Sequence, residues 1–97
     1  MWVLQSSEPD RSPFTFRLGP GAVKTVGRAP RSDFIVDAAL VSRVHCRLTA
    51  TPDQLEVVDL ASTNGTFVNG KRVKAATLEA GDRLRVGRVE LTVQRQT

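Results

Sequence analysis

Tyrosine is absent from this 97-residue chain, and tryptophan, cysteine, histidine and methionine occur once each. With only four phenylalanines and one tryptophan, no strand face offers a row of rings on which nucleobases could stack, which counts against a nucleic-acid platform. A single cysteine makes no internal disulfide, and one cysteine with one histidine are too few ligands for a zinc site. No apolar run approaches the roughly 20 residues of a helical membrane span. Residues 1–8 lack a basic region followed by an apolar stretch, so they do not read as a secretory leader. The lone Cys46 then favours a reducing, intracellular setting: nuclear in a eukaryote, cytoplasmic in a bacterium.

What is present is an ordinary globular balance, 40% hydrophobic and 25% charged residues, with length for one domain that buries roughly 65% of its unfolded surface. Of the fourteen basic residues eleven are Arg and three Lys, giving a net charge of +4. Arg favours forked contacts to phosphate or carboxylate. The cations are interleaved with acids, so charge alone does not separate a phosphorylated protein from nucleic acid or from a solvated surface.

No segment carries a convincing helical period. Short runs with period-two alternation recur instead, among them Phe14-Thr15-Phe16-Arg17-Leu18, Val23-Lys24-Thr25-Val26, Val44-His45-Cys46-Arg47-Leu48-Thr49, Leu55-Glu56-Val57-Val58-Asp59-Leu60 and Val89-Glu90-Leu91-Thr92-Val93. Val44, Cys46 and Leu48 are expected on one face, with Cys46 in the core. Asn69-Gly70 is the signature of a type I′ hairpin. Asp37-Ala38-Ala39-Leu40 is the one candidate helical turn. Ten or so short strands punctuated by Gly, Pro, Asn and Asp predict an all-β, antiparallel β-sandwich of about ten to eleven strands with ligand loops at one end.

Three clusters fall at strand ends: Gly27-Arg28, Ser42-Arg43-Val44-His45 and Ser62-Thr63-Asn64-Gly65-Thr66. Taken in this order and spacing, with Asp59 three residues before Ser62 and with Phe67-Val68-Asn69-Gly70 following, the chain resembles the forkhead-associated domain over about residues 1–95. The resemblance implies an eleven-stranded sandwich whose apical loops bind phosphothreonine in partner proteins, with no cofactor, metal or catalysis. It implies phosphothreonine-binding roles for Arg28, Ser42, Arg43, Thr63 and Asn64, with Asn64 holding the peptide backbone. It gives loop-bracing roles to Gly27, His45 and Gly65, and puts residue selection in the loop that ends at Leu40 and Val41, where an aliphatic preference is expected. The start Met1-Trp2 is similar to that of nibrin-like proteins, which suggests the N-terminal domain of a larger signalling protein, with the DNA-damage response as a candidate pathway.

The residue chemistry agrees. A phosphate dianion offers three acceptor oxygens; Arg28 supplies a fork, Ser42 a hydroxyl, Thr63 a hydroxyl or backbone N–H, and the Asn64 amide both donates and accepts. Each residue also has a plainer reading, a solvated charge for Arg28 and Arg43, a turn residue for Ser42, Thr63 and Asn64. A His45–Cys46 nucleophile pair is excluded, because neighbours in a strand point to opposite faces. The rival classes are a nucleic-acid-binding β-domain, motivated by a pI near 10.2, and a structural or oligomerising β-sandwich that has lost phosphate binding. Neither specific nucleic acid nor membrane is expected as a partner.

Overall fold

A computed structural model describes residues 1–6 and 13–96. Of the stretch read against a leader, positions 7 and 8 lie outside the described residues. The described residues form eleven strands: β1 (Trp2–Ser6), β2 (Thr15–Leu18), β3 (Val23–Gly27), β4 (Phe34–Ile35), β5 (Cys46–Ala50), β6 (Leu55–Asp59), β7 (Thr66–Val68), β8 (Lys71–Val73), β9 (Ala75–Leu78), β10 (Arg83–Val86) and β11 (Val89–Arg95). They make a six-stranded sheet, order β2-β1-β11-β10-β7-β8, and a five-stranded sheet, order β4-β3-β5-β6-β9.

The inward positions of the two sheets close on a core in which Leu4, Leu18, Leu48, Leu55, Leu84 and Leu91 are fully buried. Each such leucine contributes about 2 kcal/mol of transfer free energy. Phe16 of one sheet stacks on Phe34 of the other, ring centroids 4.5 Å apart, and so closes one edge of the sandwich. Cys46 is in the core as expected. Burial pushes its thiol up to about 12, with the Asp59 charge adding to the effect, so it is an inert packing group. Trp2 is buried and donates its indole N–H to the Thr51 carbonyl at 3.1 Å. Asn69 and Gly70 both have positive φ, 51° and 82°, as the type I′ turn between β7 and β8 requires.

Four details differ from the pattern in the sequence. The sandwich is not wholly antiparallel, because β4 runs parallel to β3. The Asp33 carboxylate accepts from the Thr25 N–H and hydroxyl, which draws the chain back along β3 before it re-enters in the same direction. Second, β9 forms on Ala75-Ala76-Thr77-Leu78, a run with no strand signal of its own, because β6 supplies a pairing edge with Leu55 opposite Leu78. Third, Val44 is 46% exposed. The His45 N–H bonds to the Val26 carbonyl and its ring turns inward, so regular alternation begins only at Cys46. Fourth, residues 37–38 are irregular and 39–40 form a turn, so no helical turn forms at 37–40.

Candidate functional site

The β3–β4, β4–β5 and β6–β7 loops meet at one end of the sandwich, and the close approach of the first two depends on Gly27. A Cβ there would stand 2.2 Å from the Arg43 carbonyl oxygen and 2.7 Å from Ser32 Oγ. With only hydrogen in that space, the Arg28 N–H bonds to the Ser42 carbonyl at 2.9 Å and the Ala29 N–H to the Arg43 carbonyl at 3.0 Å. Arg28 Nε donates to the Val41 carbonyl at 3.1 Å. That anchor fixes the guanidinium and leaves its two terminal nitrogens without a partner among the described residues.

His45, fully buried, joins the second and third loops. Its Nδ1 lies 3.0 Å from the Ser42 N–H, which only donates. Its Nε2 lies 2.9 Å from the Gly65 carbonyl, which only accepts. The two contacts together define a neutral ring carrying its proton on Nε2. Ser42 Oγ accepts from the Thr63 N–H at 3.0 Å, so the serine's own proton remains to donate outward. The Thr63 backbone N–H, one of its two candidate donors, is thereby used within the protein. Asn64 Nδ2 donates to the Leu40 carbonyl at 3.1 Å; its amide oxygen is the side still open.

Asp59 holds the third loop from below. Its carboxylate accepts from the Ser62 hydroxyl at 2.5 Å, the Ser62 N–H at 3.2 Å and the Thr66 hydroxyl at 2.7 Å, and Ser62 Oγ in turn accepts from the Gly65 N–H. Burial pushes the Asp59 carboxyl up, but these hydrogen bonds outweigh it and hold the group below its ordinary value. Gly65 is needed where φ reaches +91°. The sequence pattern contained Asp59 and Ser62 only as spacing; their signal was the Asp-x-x-Ser interval, the reach of an Asx-type turn.

These braces surround a cleft of about 530 Å³. Arg28, Ser42, Arg43, Thr63 and Asn64 all line it, together with Leu40, Val41, Asp37, Ala38 and Ala39. Gly27, His45 and Gly65 stand behind the lining. The structure separates the two expected selecting residues: Leu40 is 46% exposed, whereas Val41 is 3% exposed and its side chain joins the core. Leu40 also has φ of 69°, an uncommon state for a non-glycine residue, tied down through its carbonyl by Asn64. Asp37, at the start of the same loop, adds a carboxylate to the lining.

An all-β sandwich with a loop-built, cation-lined cleft at one end defines a small recognition domain, and the comparisons with known proteins are specific about which. The FHA domain model matches residues 24–87, and the chain belongs to the FHA (forkhead-associated) domain family. It is 47% identical over 77 residues, 79% of its length, to the ABC transporter ATP-binding/permease protein Rv1747 of Mycobacterium tuberculosis, of which it covers 9%. It superposes on the structure of Mycobacterium tuberculosis EmbR in complex with a low-affinity phosphopeptide with a TM-score of 0.81 and 31% identity, covering 96% of this chain and 24% of that one. A structure from a study of phosphothreonine-dependent FHA domain interactions gives a TM-score of 0.84 and 29% identity, covering 99% and 97% of the two chains. The chain spans from 9% to 47% of the length of the curated relatives it matches.

Proposed function

We propose that the chain is a phosphothreonine-dependent interaction module, one domain of a larger protein, that captures a phosphorylated partner without catalysing a reaction. The observation that carries this is the convergence of Arg28, Ser42, Arg43, Thr63 and Asn64 on one cleft whose internal hydrogen bonds leave the Arg28 terminal nitrogens and the Ser42 proton directed outward. In this reading the Arg28 fork and the Ser42 and Thr63 hydroxyls hold the phosphate, Arg43 adds charge, and the Asn64 amide oxygen accepts from a peptide N–H. Charge-assisted contacts of this kind contribute about 1.5–3 kcal/mol each before ordering costs, which corresponds to a roughly micromolar complex. The named relatives are bacterial, so the setting we propose is cytoplasmic signalling in a bacterium; nothing favours the nucleus or the DNA-damage response.

A phosphothreonine peptide library is the test. Binding is expected to require phosphorylation and to fall several-fold for phosphoserine, since burying one methyl is worth about 0.8 kcal/mol. An aliphatic residue is expected three positions after the phosphothreonine, opposite Leu40, and an acid there is expected to be disfavoured by Asp37. Equal binding of phosphorylated and unphosphorylated peptides would refute the assignment.

A further inference from the structure

Gly65 immediately precedes β7 and Gly87 immediately follows β10, two strands that pair with Arg85 opposite Phe67 and Val86 opposite Thr66. Gly87 has no room for a side chain, since a Cβ there would stand 2.9 Å from the Ala39 carbonyl oxygen and from Val41 Cγ2; at Gly65 the space is filled by the Arg72 side chain, whose Nε would stand 2.7 Å from a Cβ. Gly87 therefore backs residues 39–41 of the cleft-lining loop, and the Arg72 side chain lies against Gly65, next to Asn64.

Arg72 and Arg85 are the two cross-strand neighbours of Phe67, and both lean along their strands toward the loop end. The Arg72 guanidinium lies on Gly65. Arg85 Cζ sits 4.1 Å from the Phe67 ring centroid, and its Nη1 reaches the Gly87 carbonyl at 3.4 Å. Glu90, the residue opposite Arg85 on β11, is engaged by Arg83 at 3.9 Å. Among the described residues no carboxylate lies within 4.0 Å of Arg72 or Arg85. Stacking and backbone contacts position these two forks while their charges stay unneutralised.

We propose that Arg72 and Arg85 form a second phosphate position, which engages a second phosphorylated residue of the same partner segment as it leaves the cleft past Asn64. This rests on the reading of the cleft as a phosphothreonine site. A phosphate carries close to two charges and three acceptor oxygens, enough to face two guanidinium forks at once, whereas a carboxylate satisfies one.

Calorimetry on the whole chain tests it with one peptide sequence in four forms: unphosphorylated, singly phosphorylated on threonine, the same with a second phosphate scanned along the flanking residues, and the same with glutamate at each scanned position. At one position the doubly phosphorylated peptide is expected to bind about tenfold more tightly than the singly phosphorylated one, and glutamate to give less than about threefold. Arg72→Ala alone, and Arg72→Ala with Arg85→Lys, which keeps a cation near the Phe67 ring but removes the fork, are expected to lose that gain while binding the singly phosphorylated peptide within about twofold of the unaltered protein. No gain at any position, or a gain that survives both variants, overturns the proposal. An equal gain from glutamate overturns its assignment to phosphate. Failure of the unaltered protein to distinguish the first two peptides would instead remove the cleft reading, so the two failures are distinguishable.

Discussion

The two ends of the sandwich use the same residue types in opposite ways. At the β5–β6 end, Arg95 lies over the Trp2 ring at 5.2 Å, makes an ion pair with Asp53 at 3.5 Å and donates to the Pro52 carbonyl, while Thr51 Oγ1 closes the turn on Gln54. At the loop end Arg28 is anchored by one nitrogen to a carbonyl, and among the described residues neither Arg28 nor Arg43 has a carboxylate within 4.0 Å. There His45, Ser42 and Asn64 pair across loops with backbone groups, and Asp59 pairs within the third loop with Ser62 and Thr66. The lesson is that a stabilising arginine and a ligand-ready arginine differ less in exposure than in what has already been spent on their charge.

That contrast breaks most sharply on the arginines themselves. Arg28→Ala is expected to weaken phosphothreonine-peptide binding by at least about tenfold with little change in melting temperature, because an exposed loop side chain contributes little to the core. Arg95→Ala is expected to leave binding unchanged. Anisotropy titrations with circular dichroism melts check both; equal effects of the two would erase the distinction between the ends.

The next effect in size belongs to the bracing. Replacing fully buried His45 by Ala removes two hydrogen bonds and leaves the Ser42 N–H and Gly65 carbonyl unpaired, a loss of about 2–4 kcal/mol. The melting temperature is expected to fall by about 10 °C or more, and binding to weaken with it. An unchanged melt would contradict the bracing role.

Asp59 gives a smaller, pH-dependent effect. Its carboxyl is held below 3.8 in the folded protein. Its stabilising contribution is therefore fully present above the unfolded value and is lost as pH falls through the lower folded one. Acid melts should show the loss beginning below about pH 4, and Asp59→Asn should flatten that part of the profile. A variant whose acid profile matches the parent would show that Asp59 does not hold the loop.

Much of this was legible in the residues and some was not. Alternation located the strands that bury one face, such as β2 and β11, and the Asn69-Gly70 turn. It did not find β9, whose Ala75-Ala76-Thr77-Leu78 becomes a strand through the edge of β6, nor the parallel direction of the short apolar strand at Phe34-Ile35, which is set by an Asp33–Thr25 contact across eight residues. The spacing of the three clusters brought together the residues that line the cleft. It gave no hint that Val41 turns into the core while Leu40 faces out in a left-handed conformation, since that division depends on the Asn64–Leu40 contact between loops. Nor did it indicate that the Thr63 N–H is occupied by Ser42, a consequence of how closely the loops approach.

The central claim, that the loop-end cleft is where a phosphate is held, is tested most directly by titrating a phosphothreonine peptide into the labelled chain and following backbone amide signals by NMR. The account predicts shifts concentrated at Arg28, Ser42, Arg43, Thr63, Asn64 and Gly65, absent with the unphosphorylated peptide, and none at Thr51, Asp53 or Gln54 of the opposite end. Shifts confined to the β5–β6 end, or the same shifts without phosphorylation, would contradict it.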